Sequence, residues 1–262
     1  MEESTGKIIS IFNQKGGVGK TTTVVNLSAA LSKKKQKILV VDLDPQANTT
    51  SAIFEDKEKN IYDLLINDEV LFYPTRNKNI DIIPSSNELA GAEIELSTRD
   101  NWQYLLKNIL DQIKENYDYI IIDAPPSLGV LSMIALTSSD SIIIPVQSEY
   151  YALEGVGQLM NTITMVKDNF NPNLKIEGVL LCMYDARTKL SSNVKKEVVE
   201  FFGDLVYQTD IPRNIRLAEA PSFGMDIFEY DKFSRGARAY SKLAKEFLSR
   251  NRWTYEKDDR TR

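Results

Sequence analysis

The chain has 262 residues, 42% of them apolar, with a formal net charge of −5, one cysteine and no histidine. That length can bury one sizeable core, and a single cysteine excludes an internal disulfide or a Cys-only metal cluster within one chain. Without histidine, Ser-His-Asp and Cys-His catalysis are excluded, which leaves carboxylates, lysines and a metal ion for any chemistry.

No run approaches the roughly 18–20 apolar residues that cross a bilayer, and Met1-Glu2-Glu3-Ser4 is not a signal-peptide start. A cytoplasmic protein is expected. Charge is uneven, with 16 basic against 24 acidic residues in 1–184 and 16 against 13 in 185–262. A basic C-terminal third is compatible with nucleic-acid contact through a patch, and equally with an ordinary solvated helix.

In chain order, Ile8–Phe12 is almost wholly apolar and reads as a parallel strand covered on both faces. A glycine-rich turn follows, and a helix from Lys20 carries Val24, Leu27, Ala30 and Leu31 at helical spacing before Lys33-Lys34-Lys35. Ile38–Val41 is the second strand, completing a βαβ unit. Weak helical patches (50–54, 61–66), a strand over 80–84 and helices over 89–96 and 102–113 come next. The strand ending at Asp123 is stopped by Ala124-Pro125-Pro126. The pattern then predicts a helix over 129–137, a strand over 141–146, a helix from about Leu153 to Asn169, a strand over 176–183 and a helix over 191–202. A short strand over Val206–Ile211 and a last helix over Ser234–Arg250 complete it, with 251–262 a frayed tail. Such alternation predicts one α/β domain over 1–262, its ordered core about 7–250, built on a doubly wound, mainly parallel sheet with helices on both faces.

Binding sites in such sheets gather at the carboxyl ends of the strands. Lys15-Gly16-Gly17-Val18-Gly19-Lys20-Thr21-Thr22 sits between the first strand and its helix. Glycines there let successive N–H groups turn inward, and the helix N-terminus adds partial positive charge. Lys20 can reach terminal phosphates and the Thr21 hydroxyl can hold Mg²⁺. Where the general phosphate-loop spacing places its first glycine, Gln14-Lys15 stands instead. Asp123, directly after an apolar strand, suits a carboxylate that reaches the ion or its waters. Asp42 and Asp44 end the second strand two residues apart. Asp44, pinned by Pro45, is the choice for ordering the water that attacks a γ-phosphate; Asp42 is left as a structural or metal-shell carboxylate.

Lys15–Thr22, Asp42-Leu-Asp44-Pro-Gln46 and Ile121-Ile-Asp123-Ala-Pro-Pro-Ser127 resemble the deviant Walker A, A′ and B motifs of the ParA/Soj partition ATPases. The likeness continues through 146–155, 177–181, Asp185-Ala-Arg187-Thr188 and 211–222, and covers about residues 7–250. It implies a deviant P-loop NTPase that forms an ATP-sandwich homodimer, with ATP and Mg²⁺ as cofactors. Lys15 would reach into the partner's nucleotide, Lys20 grip the β- and γ-phosphates, Thr21 and Asp123 hold Mg²⁺, and Asp44 support hydrolysis. Pro212 and Asn214 match the family's adenine-side contacts, and Arg187 and Arg216 match its positions for sequence-blind DNA binding. Lys232, Arg235, Arg238, Lys242, Lys245, Arg250 and Arg252 add a basic run.

The implied function is chromosome or plasmid partitioning in a nucleoid-associated, cytoplasmic protein whose slow ATPase is stimulated by a ParB/Spo0J-type centromere-binding partner. Phe223 and Asp226 depart from the family's usual histidine and later proline, and about a dozen residues precede the loop, so operator-specific repression is not expected. The alternative is a MinD-like ATPase cycling on membranes. The charged tail 251–262, with only Trp253 and Tyr255 suited to insertion, argues against it. Metal-cluster carriers need cysteines at a dimer axis, which Cys182 alone does not supply.

Overall fold

A computed structural model describes residues 6–55, 59–67, 69–149 and 155–259, with side chains as far as Asn251. Strand β1 (Lys7–Ile11) leads to α1 (Lys20–Ser32), and β2 (Ile38–Asp42) to the short helices α2 (Asn48–Ile53) and α3 (Ile61–Asn67). An antiparallel pair, β3 (Tyr73–Pro74) and β4 (Ile80–Ile83), precedes α4 (Leu89–Ser97) and α5 (Leu105–Ile113). Then come β5 (Tyr119–Asp123), α6 (Val130–Ser138), β6 (Ser141–Gln147), α7 (Val156–Asn169), β7 (Lys175–Cys182) and α8 (Lys189–Phe202). Helices α9 (Ile215–Glu219), α10 (Ile227–Asp231) and α11 (Arg235–Asp259) follow.

The strands form one sheet in the order β3-β4-β2-β5-β1-β6-β7, parallel except at β3. Its two faces are built from alternate strand residues, because side chains in a strand point to opposite sides in turn. Ile8, Val41, Ile120 and Ile122 pack with α3 to α8 on one face. Ile9, Ile11, Val40 and Ile121 pack with α1, α10 and α11 on the other. That double cover is why these strands read as continuous apolar runs. The doubly wound, mainly parallel sheet expected from the sequence is the one observed.

The register decides where the polar ends fall. Ile11 on β1 and Asp42 on β2 both pair with Asp123 on β5, so three strands end level. Strand β1 has β5 on one side and β6 on the other, so the chain's direction of winding reverses beside the loop after β1. A ligand crevice belongs at such a switch point.

Several boundaries differ from expectation. Val206–Ile211 is no strand: it makes an isolated bridge through Val206 to Val179. The N–H groups of Gln208 and Thr209 donate to the Glu246 carboxylate on α11, at 2.7 and 3.0 Å, where a strand would use a ladder carbonyl. The Tyr207 ring fills the space over Gly178, where an added Cβ would come within 2.5 Å of it. Helices α9 and α10 and the edge strand β3 were not anticipated, and α11 continues to Asp259, past the expected end at Arg250. Helix α7 is described from Val156; its expected start at Leu153 lies outside the described residues.

Candidate functional site

The loop after β1 wraps as its glycines require. Gly17 and Gly19 take φ of 73° and 98°, in the left-handed region where a side chain is strained, and Gly16 does not. Gly19 is the N-cap of α1 and no side chain caps that helix, so its first N–H groups face the loop. Uncapped N–H groups at the start of a helix of thirteen residues suit an anion. Asn13 braces the loop, donating to the Pro145 carbonyl at 2.7 Å and accepting from the Lys15 N–H at 3.0 Å. Gln14, standing where a glycine would be expected, donates to the Thr162 hydroxyl of α7 at 2.9 Å.

Lys20 is buried, with its Nζ donating to the carbonyls of Asn13 (3.0 Å) and Lys15 (3.1 Å). The cation thus lies curled inside the loop. Burial pushes its pKa down, against the pull of the Asp123 and Asp44 carboxylates. Lys15 is exposed.

Asp123 is buried at the end of β5, and its Oδ2 accepts from the Thr21 hydroxyl (2.8 Å) and the Thr49 hydroxyl (2.7 Å). Its Oδ1 is buried with no hydrogen-bond partner among the described residues. An orphaned carboxylate oxygen is costly, and a cation is what would satisfy it. Asp42 is buried beside it in the sheet register. Its Oδ2 accepts from the N–H and hydroxyl of Thr50, at 2.8 and 2.7 Å, and its Oδ1 from the Asp44 N–H at 3.1 Å. Asp42 is therefore a structural brace for the loop that carries Asp44. Burial, and then the Asp123 charge, push Asp42 up to about 7. Burial pushes Asp123 up to about 6 against its hydroxyl donors. Asp44 is half-buried, and its Oδ1 accepts from the Gln46 N–H at 2.9 Å.

A cavity of about 340 Å³ opens beside the loop, lined by Gly19, Thr22, Cys182, Met183, Pro212 and Asn214 among others. The sequence-predicted adenine contacts thus lie next to the phosphate loop. Asn214 has a second job: its side chain caps α9 by accepting from the Arg216 N–H at 2.9 Å, so its amide nitrogen is the part left for a base. Met183 takes a φ of 53°, unusual for a side chain of its size, at this cavity wall. The Cys182 thiol, buried and pushed up to about 12, is an inert wall residue, as a strand cysteine should be.

Arg187 and Arg216 stand apart from the loop and are both exposed. Each has an acidic partner. Arg187 binds Asp185 through Nε (2.9 Å) and Nη2 (2.7 Å), which holds Asp185 at about 2. Arg216 pairs with Glu219 at 3.1 Å and lies 3.7 Å from Asp231. Arg235, Arg238, Lys242 and Lys245 lie along one stripe of α11, exposed, with no acid partner among the described residues. Thr49, Thr50 and Ser85 carry no motif in the sequence; Thr50 reaches Asp42 locally, from the helix that follows it, while strand order brings Thr49 to Asp123 and Ser85 to Asp44.

The family described as an AAA domain matches residues 6–176. The chain is 54% identical over 247 residues to sporulation initiation inhibitor protein Soj of Bacillus subtilis, covering 92% of this chain and 98% of that one. It is 45% identical over 254 residues to chromosome partitioning protein ParA of Myxococcus xanthus, covering 95% and 90%. Among solved structures, cobyrinic acid a,c-diamide synthase from Mycobacterium smegmatis with a bound ATP analog and magnesium superposes with a TM-score of 0.80, at 35% identity over 93% of this chain and 94% of that one.

Proposed function

The chain belongs to the ParA/Soj family of chromosome-partitioning P-loop ATPases, and from that premise we propose that it is an ATP-driven partitioning protein. ATP binding assembles a sandwich dimer that binds DNA without sequence preference, and hydrolysis, stimulated by a ParB/Spo0J-type partner, releases it. The observation that carries this reading is the convergence of Lys20, Asp44 and Asp123 on one uncapped helix N-terminus.

The residues fit Mg²⁺-ATP. Gly16, Gly17, Val18, Gly19 and Thr22 contribute backbone N–H groups to the phosphates, and Lys20 leaves its two carbonyl partners for them. The Thr21 hydroxyl and the orphaned Oδ1 of Asp123 would hold the ion; bound there, it neutralises phosphate charge that builds during transfer. Asp44 orients the attacking water, a positioning task of the kind phosphoryl transfer mostly needs. Pro212 and Asn214 face the base from the adjoining cavity. Lys15, exposed at the rim, reaches the second subunit's nucleotide much as an arginine finger in trans would, which makes the nucleotide a dimer switch.

DNA contact falls on the basic C-terminal third. Arg187 and Arg216 bring ion partners that a phosphate must displace, while the α11 stripe offers cations without them. Such contacts are sequence-blind and salt-sensitive.

The test is Asp44→Ala with ATP and Mg²⁺ in sedimentation velocity. A stable ATP-bound dimer that does not hydrolyse is expected. Loss of nucleotide binding, or hydrolysis at the parental rate, contradicts the role given to Asp44.

A further inference from the structure

Asp44 sits on a loop between β2 and α2, and a loop residue must be held if its carboxylate is to order a water. Both of its peptide groups are held. The Asp44 N–H donates to Asp42 Oδ1 at 3.1 Å, and the Asp44 carbonyl accepts from the Ser85 hydroxyl at 2.8 Å. Ser85 lies just beyond β4, the strand that pairs with β2 through Val41 and Ile83. Its own N–H donates to the Thr50 hydroxyl at 2.9 Å, and that hydroxyl donates on to Asp42 Oδ2 at 2.7 Å. Asp42, Thr50 and Ser85 are all 1% exposed or less. The bonds close a ring: Asp44 to Asp42, Asp42 to Thr50, Thr50 to Ser85, Ser85 back to Asp44.

We propose that Ser85 is a positioning residue for ATP hydrolysis, fixing the Asp44 loop through this buried ring. The helical serines Ser51 and Ser138 return their protons to the carbonyl four residues earlier. Ser85 instead spends its one donor on the loop 41 residues earlier. The Asp44 carbonyl also accepts from the Ala47 N–H at 2.9 Å, a bond within its own turn, and its side chain is tethered by the Gln46 N–H. The Ser85 bond is what ties that turn to the end of β4, so losing it lets the turn and its carboxylate shift. Misplacement of a positioned group by about 1 Å costs on the order of a hundredfold in rate. The nucleotide contacts proposed for Lys20 and the glycine loop lie at the start of α1 and on the loop before it, outside the ring, so ATP affinity is expected to change little when Ser85 is lost.

The inference rests on the reading of Asp44 as the hydrolytic carboxylate, and the experiment separates the two. Single-turnover hydrolysis of γ-labelled ATP, with protein in excess and Mg²⁺ present, gives a rate constant and an amplitude for the parent, Asp44→Ala, Ser85→Ala and Ser85→Thr. Ser85→Ala is expected to slow the rate constant roughly ten- to a hundredfold, with ATP affinity within about twofold of the parent. Ser85→Thr, which keeps the hydroxyl, restores the rate. A merely structural loss lowers the amplitude and leaves the rate constant alone, and that result overturns the proposal, as does a parental rate in Ser85→Ala. Should Ser85→Ala not fold, Ser85→Cys is judged by the same criteria. Asp44→Ala hydrolysing like the parent sinks the reading of Asp44 itself; Asp44→Ala inactive beside a fully active Ser85→Ala sinks only the role of Ser85.

Discussion

Raising the pH from 5.5 to 7.5 should destabilise the nucleotide-free protein, across a range in which ordinary surface carboxylates are ionised in both states and contribute no slope. Asp42 and Asp123 are neighbours in the sheet, both buried, and burial raises both, to about 7 and about 6. In the unfolded chain each returns to about 4. Between those limits the folded state binds more protons than the unfolded one, so stability falls as pH rises. The stabilising contribution is complete below the unfolded pKa and is lost as the pH passes through 6 to 7. Over this interval the pair loses on the order of 2–3 kcal/mol, or a melting temperature lower by about 4–6 °C for a chain of this length. No histidine titrates in this window, and Cys182 lies far above it. Thermal unfolding by circular dichroism at fixed ionic strength measures the effect, and Asp42→Asn should flatten the dependence whatever it does to stability at one pH. A melting temperature that is level or rises over the interval, in the parent protein, refutes the argument.

Other outcomes follow from the same geometry. Gly17→Ala and Gly19→Ala, at positive φ, should each cost about 1–2 kcal/mol, while Gly16→Ala, which meets nothing within 4 Å, should melt close to the parent; equal losses at all three positions would contradict the loop conformation. Lys15→Ala should retain ATP binding and lose ATP-dependent dimerisation, read by light scattering; a dimer of parental stability removes the trans role from Lys15. Arg187→Glu with Arg216→Glu should abolish DNA binding but leave the ATP-bound dimer intact, and unchanged DNA affinity would shift the contact to the α11 stripe.

The strands and the phosphate loop are legible in the sequence because their signals are local. Ile8–Phe12 and Tyr119–Ile122 are apolar on both faces, and each runs straight into its polar site residues. Lys20, Thr21 and Asp123 are brought together as that pattern implies, since Thr21 bonds Asp123 directly. The legibility fails where long-range contacts decide. Val206–Ile211 has strand composition, and its Tyr207 and Ile211 N–H groups do reach β7 carbonyls, yet Glu246 on α11 takes those of Gln208 and Thr209 between them. Helices α9 and α10 are five residues each, too short for a helical period to declare itself. Asp226, a departure from the family pattern, is explained by its role as N-cap of α10, where it accepts from Phe228 and Glu229. The acid partners of Arg187 and Arg216 are local, at i−2 and i+3, but the ring through Thr50 and Ser85 depends on side-chain directions and strand order that spacing does not encode.

The central claim is that ATP switches this protein onto DNA, and co-sedimentation with DNA and, separately, with anionic liposomes tests it most directly. The account predicts DNA binding with ATP and Mg²⁺ but not with ADP, weakening steeply as salt rises, and no liposome binding in either state. Binding to liposomes without binding to DNA would contradict it.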